Sequence, residues 1–138
     1  MINNVQVTPL NTTLSENGYN IRAFDSAQDQ SVELLQTLPG KLVGWNEFNV
    51  GLQLAFYSGL ARIVLFDARR DAESYGRLLE LSAGSRNAIR ISVPAGVAIS
   101  WKCCGNEDAL ILLQLPQKAK VKTHPIDTHL IPFSWEEH

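Results

Sequence analysis

Short apolar runs with a period of two residues, separated by tight turns, are the feature that most constrains this fold. In residues 52–57, leucine and phenylalanine alternate with glutamine, alanine and tyrosine, which is the pattern of a strand buried on one face. Ile89, Ile91 and Val93 repeat the pattern further along the chain. Short strands at this spacing are typical of a β-sandwich or a β-barrel. The sequence therefore predicts an all-β fold.

Glycine, proline and asparagine mark where the strands end. Turns are predicted at residues 58–59, 94–96 and 105–106, and further strands over residues 60–66, 97–104 and 109–115. Near the N-terminus, Val5 and Val7 predict an edge strand, and Asn17-Gly18 predicts a tight turn after it.

Two segments leave alternatives open. Residues 26–38 could form a short strand or one helical turn. Residues 71–83 carry apolar side chains at helical spacing, but Gly76 lies in the middle and costs a helix about 1 kcal/mol relative to alanine. The second segment therefore favours a turn followed by a strand.

The bulk composition narrows the class of protein. The chain has 138 residues, of which 45% are apolar and 19% charged, and this fits one globular domain. We divide residues 1–138 into an N-terminal edge-strand region (about 1–40), the central strands, and a C-terminal tail (about 116–138). Twelve basic against fourteen acidic residues predict no nucleic-acid surface. Without an apolar run of about 18 residues or an apolar leader, we expect no membrane contact and a cytoplasmic location.

Cysteine and histidine do not form a recognisable metal motif. Cys103 and Cys104 are adjacent, so they should point to opposite faces of a strand, and we interpret them as reduced, buried thiols. His124, His129 and His138 all lie in the C-terminal tail, where we expect a surface position. The sequence therefore predicts neither a metal site nor a cofactor.

The order of several short motifs resembles the dTDP-4-dehydrorhamnose 3,5-epimerase family of cupins. The matching pieces are residues 67–71 (Asp-Ala-Arg-Arg-Asp), 81–83 (Leu-Ser-Ala), 93–98 (Val-Pro-Ala-Gly-Val-Ala) and 106–109 (Asn-Glu-Asp-Ala). The ungapped resemblance covers residues 51–114. It implies a cupin jelly roll, that is, a double-stranded β-helix whose two antiparallel sheets surround an open-ended cavity, and it implies a homodimer.

The same resemblance implies that the residues of the family reaction are missing. The family base, a histidine, corresponds to Asn46, and the lysine that supports the enolate corresponds to about Leu52. A second histidine corresponds to Ile99 and the acidic tyrosine to about Leu113. The family's Asp-x-Arg-Gly segment, which helps to hold the nucleotide phosphates, corresponds to residues 15–18. We therefore assign no catalytic residue.

Two functions from different classes remain. The first is a cupin without epimerase activity that binds a small molecule or sugar, or serves in an assembly; Trp45, Asn46 and Trp101 are its candidate ligand-binding residues, since indole rings and an amide can stack on and orient such a ligand. The alternative is a nucleotide-sugar epimerase or isomerase of carbohydrate biosynthesis that uses relocated catalytic residues.

The charged residues 67–71 are interpreted as a solvated turn with weak ion pairs.

Overall fold

A computed structural model describes residues 1–16, 18–24 and 29–137. These residues form the strands β1 (Gln6–Pro9), β2 (Asn11–Ser15), β3 (Gly18–Arg22), β4 (Gln30–Thr37), β5 (Leu42–Phe48), β6 (Leu52–Ser58), β7 (Leu60–Asp67), β8 (Leu78–Gly84), β9 (Ile89–Val93), β10 (Val97–Cys103), β11 (Ala109–Pro116) and β12 (Val121–Thr123). The helical content of this part of the chain is a single 3-10 turn at Trp135–Glu137, and no described helix could cross a membrane.

Ten of these strands form two antiparallel five-stranded sheets. The first sheet has the order β1-β9-β6-β11-β4 and the second the order β12-β5-β10-β7-β8, while β2 and β3 form a separate hairpin. Neighbours in the two large sheets are mostly distant in sequence, as they are when a long hairpin folds over on itself. The all-β class and the double-stranded β-helix predicted from the sequence are confirmed.

The core lies between the inner faces of the two sheets. Alternate residues of β6 and β10 point into it, among them Leu54, Phe56, Ile99 and Trp101, and each is at most 2% exposed. This is the packing that the period-two runs predict, because one face of each strand is apolar. Burying a large aliphatic or aromatic side chain contributes about 1.5–3 kcal/mol, so these rows hold the two sheets together.

Both segments with open alternatives form strands. Residues 30–37 are β4, an edge strand of the first sheet. In the other segment, turns are followed by β8. Gly76 has a φ of +82°, which is incompatible with a right-handed helix. Asn17 lies outside the described residues, although β2 and β3 pair on either side of it.

The C-terminal segment is packed rather than a surface tail. β12 pairs with β5, and Ile131 and Trp135 are buried against the outer face of the second sheet. We call this second group of buried side chains the outer cluster; it consists of Trp45, Val64, Phe66, Ala98, Ile131 and Trp135. His124 is half-buried, His129 is exposed, and His138 lies outside the described residues. The extra layer means that β5 and β10 are covered on both faces.

Candidate functional site

A cavity of about 440 Å³ lies between the two sheets, on the side where β4 is the edge strand of the first sheet and β12 the edge strand of the second. Because these two strands belong to different sheets, the sandwich is open on this side. Its volume is within the range of small-molecule sites in proteins. The wall comes from both sheets and from the segment before β12: Glu33, Leu35, Val43, Asn46, Phe48, Leu54, Ile99, Trp101, Leu113, Leu115, Ala119, Val121 and Thr123. Ten of these thirteen side chains are apolar, so the cavity favours a ligand with an apolar body.

Asn46 supplies a polar group to this wall. It lies opposite Ile99 in the β5–β10 pair, and its Oδ1 accepts a hydrogen bond of 3.0 Å from Thr123 Oγ1. A hydroxyl can donate or accept, and an amide has both donors and an acceptor. The Asn46–Thr123 pair therefore presents hydrogen-bonding groups to a ligand but contains no group that could act as an acid or a base near neutral pH.

Trp101 forms part of the cavity floor. Its indole is 2% exposed, its Nε1 donates to Thr37 Oγ1 at 3.0 Å, and its ring packs edge-to-face on Phe56 with the ring centres 5.6 Å apart. The polar atom of Trp101 is thus already satisfied by the protein. What the side chain offers a ligand is apolar surface in a fixed orientation.

Trp45 does not line the cavity, in contrast to the prediction from the sequence. Ile99 pairs with Asn46 and Trp101 pairs with Val43, so one residue of β10 lies opposite two residues of β5, which is a β-bulge. The extra residue directs both Val43 and Asn46 inward and directs Trp45 outward. Trp45 is fully buried in the outer cluster and packs edge-to-face on Phe133.

Only some of the positions that correspond, by the resemblance, to reactive residues of the family lie together in the cavity. Asn46, Ile99 and Leu113 all line the cavity, as expected if they occupy one site. Leu52 is 4% exposed and belongs to the core, but it is not part of this wall. Of the segment implied to hold phosphates, Ser15 and Gly18 lie in the β2–β3 hairpin, while Asn17 is outside the described residues.

Glu33 is the ionisable residue of the cavity wall that the sequence analysis missed. It lies on β4, opposite Leu113 in the β4–β11 pair, and it is exposed. The sequence contained only part of the information needed to predict this position. If residues 32–35 form a strand, Glu33 and Leu35 lie on the same face, but the sequence left open whether this segment is a strand.

Metal ligands do not come together within the described ranges. No group of three or more His, Cys, Asp or Glu side chains there could hold an ion. Cys103 ends β10 and is buried, whereas Cys104 follows the strand and is exposed, so the prediction of two buried thiols is correct for Cys103 and wrong for Cys104.

The charged residues 67–71 are not a solvated turn. The Asp67 carboxylate is fully buried and accepts hydrogen bonds from Arg69 and from Ser74 Oγ. Burial by itself would raise the pKa of the Asp67 carboxyl, but the hydrogen bonds from Arg69 and Ser74 outweigh it and leave that pKa below its ordinary value. Arg70 and Asp71 are exposed. None of these residues lines the cavity, so the cluster supports the scaffold rather than the site.

The fold is that of solved dTDP-sugar epimerase and isomerase structures. The dTDP sugar isomerase from Desulfovibrio desulfuricans G20 is 23% identical, with a TM-score of 0.89 over 99% of this chain and 94% of that one. The dTDP-6-deoxy-D-glucose-3,5-epimerase from Legionella pneumophila Philadelphia 1, in complex with dTDP-4-keto-L-rhamnose, is 14% identical, with a TM-score of 0.72 over 83% and 68% of the two chains.

A 3'-monoepimerase from Streptomyces bikiniensis gives a similar match. This structure is a double mutant, with a histidine replaced by asparagine and a tyrosine by phenylalanine, in complex with dTDP; it is 14% identical, with a TM-score of 0.76 over 97% and 75% of the two chains. No family model and no curated protein matches the sequence significantly. The resemblance read from residues 51–114 is therefore confirmed as a likeness of fold.

Proposed function

We propose that this protein binds a small, mostly apolar or sugar-like molecule in the cavity and has no sugar-nucleotide epimerase activity. The observation that carries the proposal is that Asn46, Ile99 and Leu113 line one cavity. These are three of the four positions at which the resemblance implies residues of the family reaction, and all three side chains are neutral and cannot act as an acid or a base.

The chemistry of epimerisation explains why these side chains matter. Moving a proton next to a sugar ketone needs a base, an acid on the opposite face, and a charge that stabilises the enolate. Among the described residues of the wall, the one ionisable side chain is that of Glu33. A single carboxylate at the mouth cannot serve as base and acid on two faces of a sugar ring. This argues against the alternative of relocated catalytic residues as well.

Binding without catalysis has a parallel among the similar structures. The double mutant of the Streptomyces bikiniensis monoepimerase is in complex with dTDP although a histidine and a tyrosine have been replaced. Asn46 and Leu113 are, by the resemblance, comparable exchanges in this chain. We assign ligand contact to Asn46 and Trp101; the position of Trp45 in the outer cluster removes it from this set.

The first experiment is solvent-deuterium exchange into a panel of dTDP-4-keto sugars, followed by NMR. We expect no incorporation above the uncatalysed rate, and incorporation above it would overturn the proposal. Binding is measured in parallel as thermal stabilisation by small neutral molecules. Leu115→Trp should abolish that stabilisation, because Leu115 lines the cavity. Leu130→Trp makes the same exchange at a side chain that is 64% exposed and does not line the cavity, so it is the matched control and should retain the stabilisation.

The chain also carries a surface suited to a homodimer. On the outer face of the first sheet, Val32 and Leu34 are 55% and 59% exposed, and Leu34 lies opposite the half-buried Leu112. Exposed apolar patches of this kind mark protein–protein contacts. Sedimentation velocity should give a dimer that Leu34→Lys converts to a monomer, and a monomer at every concentration would contradict the dimer.

A further inference from the structure

We infer that the cavity selects a ligand that carries a positively charged amine on an apolar body, with Glu33 as the residue that recognises the amine. The inference rests on the proposed function, because it assumes that the cavity binds a small molecule. Among the described residues of the wall, Glu33 is the sole ionisable side chain. It therefore sets the sign of the charge that the cavity presents.

The position of Glu33 suits contact with a polar end group. Glu33 and Leu35 line the cavity from β4, while Val32 and Leu34 alternate with them and point to the outer face. Because β4 is an edge strand, Glu33 lies at the mouth, where it stays hydrated. Within the described ranges no salt bridge occupies its carboxylate. A ligand amine is therefore free to approach it.

The other charges on the elements around the mouth do not face the cavity. Lys120 and Lys122 alternate with the wall residues Ala119 and Val121 and are not part of the wall. Lys118 is exposed in the preceding turn. These lysines therefore do not neutralise Glu33 from inside the cavity.

On β5 the charged groups also lie outside. Glu47 follows Asn46, so it points away from the cavity, where its carboxylate lies 3.4 Å from His124 Nε2. The inner wall thus has one negative charge, two neutral polar groups at Asn46 and Thr123, and ten apolar side chains. At the mouth an anion such as a phosphate or carboxylate would meet a like charge, and deeper along the apolar wall it would also lose its hydration. An ammonium group would meet an opposite charge at a hydrated mouth.

The test uses three probes with the same phenylpropyl body: 3-phenylpropylamine, 3-phenylpropanol and 4-phenylbutanoate. Calorimetric titration at low ionic strength should give the amine an affinity about three- to five-fold above that of the alcohol, as expected for one partly hydrated charge pair. The carboxylate should bind most weakly. High salt should reduce the preference for the amine, because it screens the pair.

Two variants test whether Glu33 causes the preference for the amine. Glu33→Gln should bring the affinity for the amine down to that for the alcohol. Glu73→Gln removes the same charge from an exposed turn residue that does not line the cavity, and it should retain the preference. Binding of the alcohol with no preference for the amine, or a preference that survives in Glu33→Gln, would overturn this inference and leave the proposed function standing. No binding of any probe would overturn this inference and the proposal that the cavity takes an apolar ligand.

Discussion

The carboxylate of Asp67 receives three hydrogen bonds of 3.0 Å from Arg69: from the backbone N–H and Nε to Oδ1, and from Nη2 to Oδ2. Arg69 Nη2 also donates to the carbonyl oxygen of Asn3 at 2.6 Å, and Ser74 Oγ accepts from the Asn3 N–H at 2.9 Å. The ion pair therefore ties the N-terminus to the turn that follows β7.

Asp67→Asn should destabilise the fold at neutral pH by about 3 kcal/mol, since removing one partner of a buried ion pair leaves the other charge without compensation. The pKa of Asp67 is lowered in the folded state, so its stabilising contribution is present above its ordinary pKa of about 3.9 and is lost as the pH falls through the folded-state value. Urea unfolding at several pH values should show the difference from wild type shrinking towards acid. Asp71→Asn, at an exposed position, is the control; an equal loss in both variants would contradict the prediction.

Gly44→Ala should destabilise the bulge by about 2–4 kcal/mol. Its φ is +118°, and a Cβ there would lie 2.8 Å from the Ile99 carbonyl oxygen and 2.9 Å from Ser100 Cα, so positive φ and overpacking add. Gly40→Ala has the same backbone problem, with φ +78°, but nothing lies within 4 Å of its Cβ. Gly40→Ala should therefore cost about 1–2 kcal/mol. Denaturant midpoints that rank the two variants in the opposite order would refute the close approach of β5 to β10.

Trp135→Ala should cost about 3–5 kcal/mol, the usual range for truncating a buried tryptophan. The indole is 6% exposed, its Nε1 donates to Ser100 Oγ at 3.0 Å, and it packs edge-to-face on Phe133. Leu130→Ala changes a side chain that is 64% exposed and should stay within about 0.5 kcal/mol. The comparison is made by thermal unfolding, and similar effects of the two variants would mean that the C-terminal segment is not packed on the sheet.

Ligand binding should change tryptophan fluorescence through Trp101 alone. Of the three tryptophans, Trp101 lines the cavity, while Trp45 and Trp135 belong to the outer cluster. Titration with 3-phenylpropanol should therefore alter the emission of wild type and of Trp135→Phe, but not that of Trp101→Phe. A response that persists without Trp101 would place the ligand elsewhere.

The strands could be predicted wherever their signal is local. Residues 52–57 and 89–93 alternate between apolar and more polar side chains, and residues 109–115 are an almost unbroken apolar run. Each of these segments forms a strand of the first sheet. β12 has only three residues, all exposed, and it exists because β5 offers it an edge to pair with. A run of three residues is too short for a periodic pattern to predict β12.

The site was harder to predict, because it depends on register between distant strands. Asn46 and Trp101 lie in the cavity, but the outward direction of Trp45 follows from the bulge opposite Ser100. Asp67 was expected in solvent, but it is buried, and its carboxylate accepts hydrogen bonds from Arg69 and from Ser74. The homodimer, the ligand-binding residues and the cytoplasmic location stay predictions.

The bulge in β5 has a consequence for how this chain tolerates changes in length. Without Gly44, Trp45 would lie directly opposite Ser100. Val43 and Asn46 would then point inward and Trp45 outward, which are the directions that these side chains already have. Gly44 is thus a supernumerary residue that the strand absorbs without reversing either of its faces. Deleting Gly44 would therefore leave Asn46 facing the cavity and Trp45 facing the outer cluster. In contrast, inserting one residue anywhere in the regular strand β10 would exchange cavity and outer-cluster side chains.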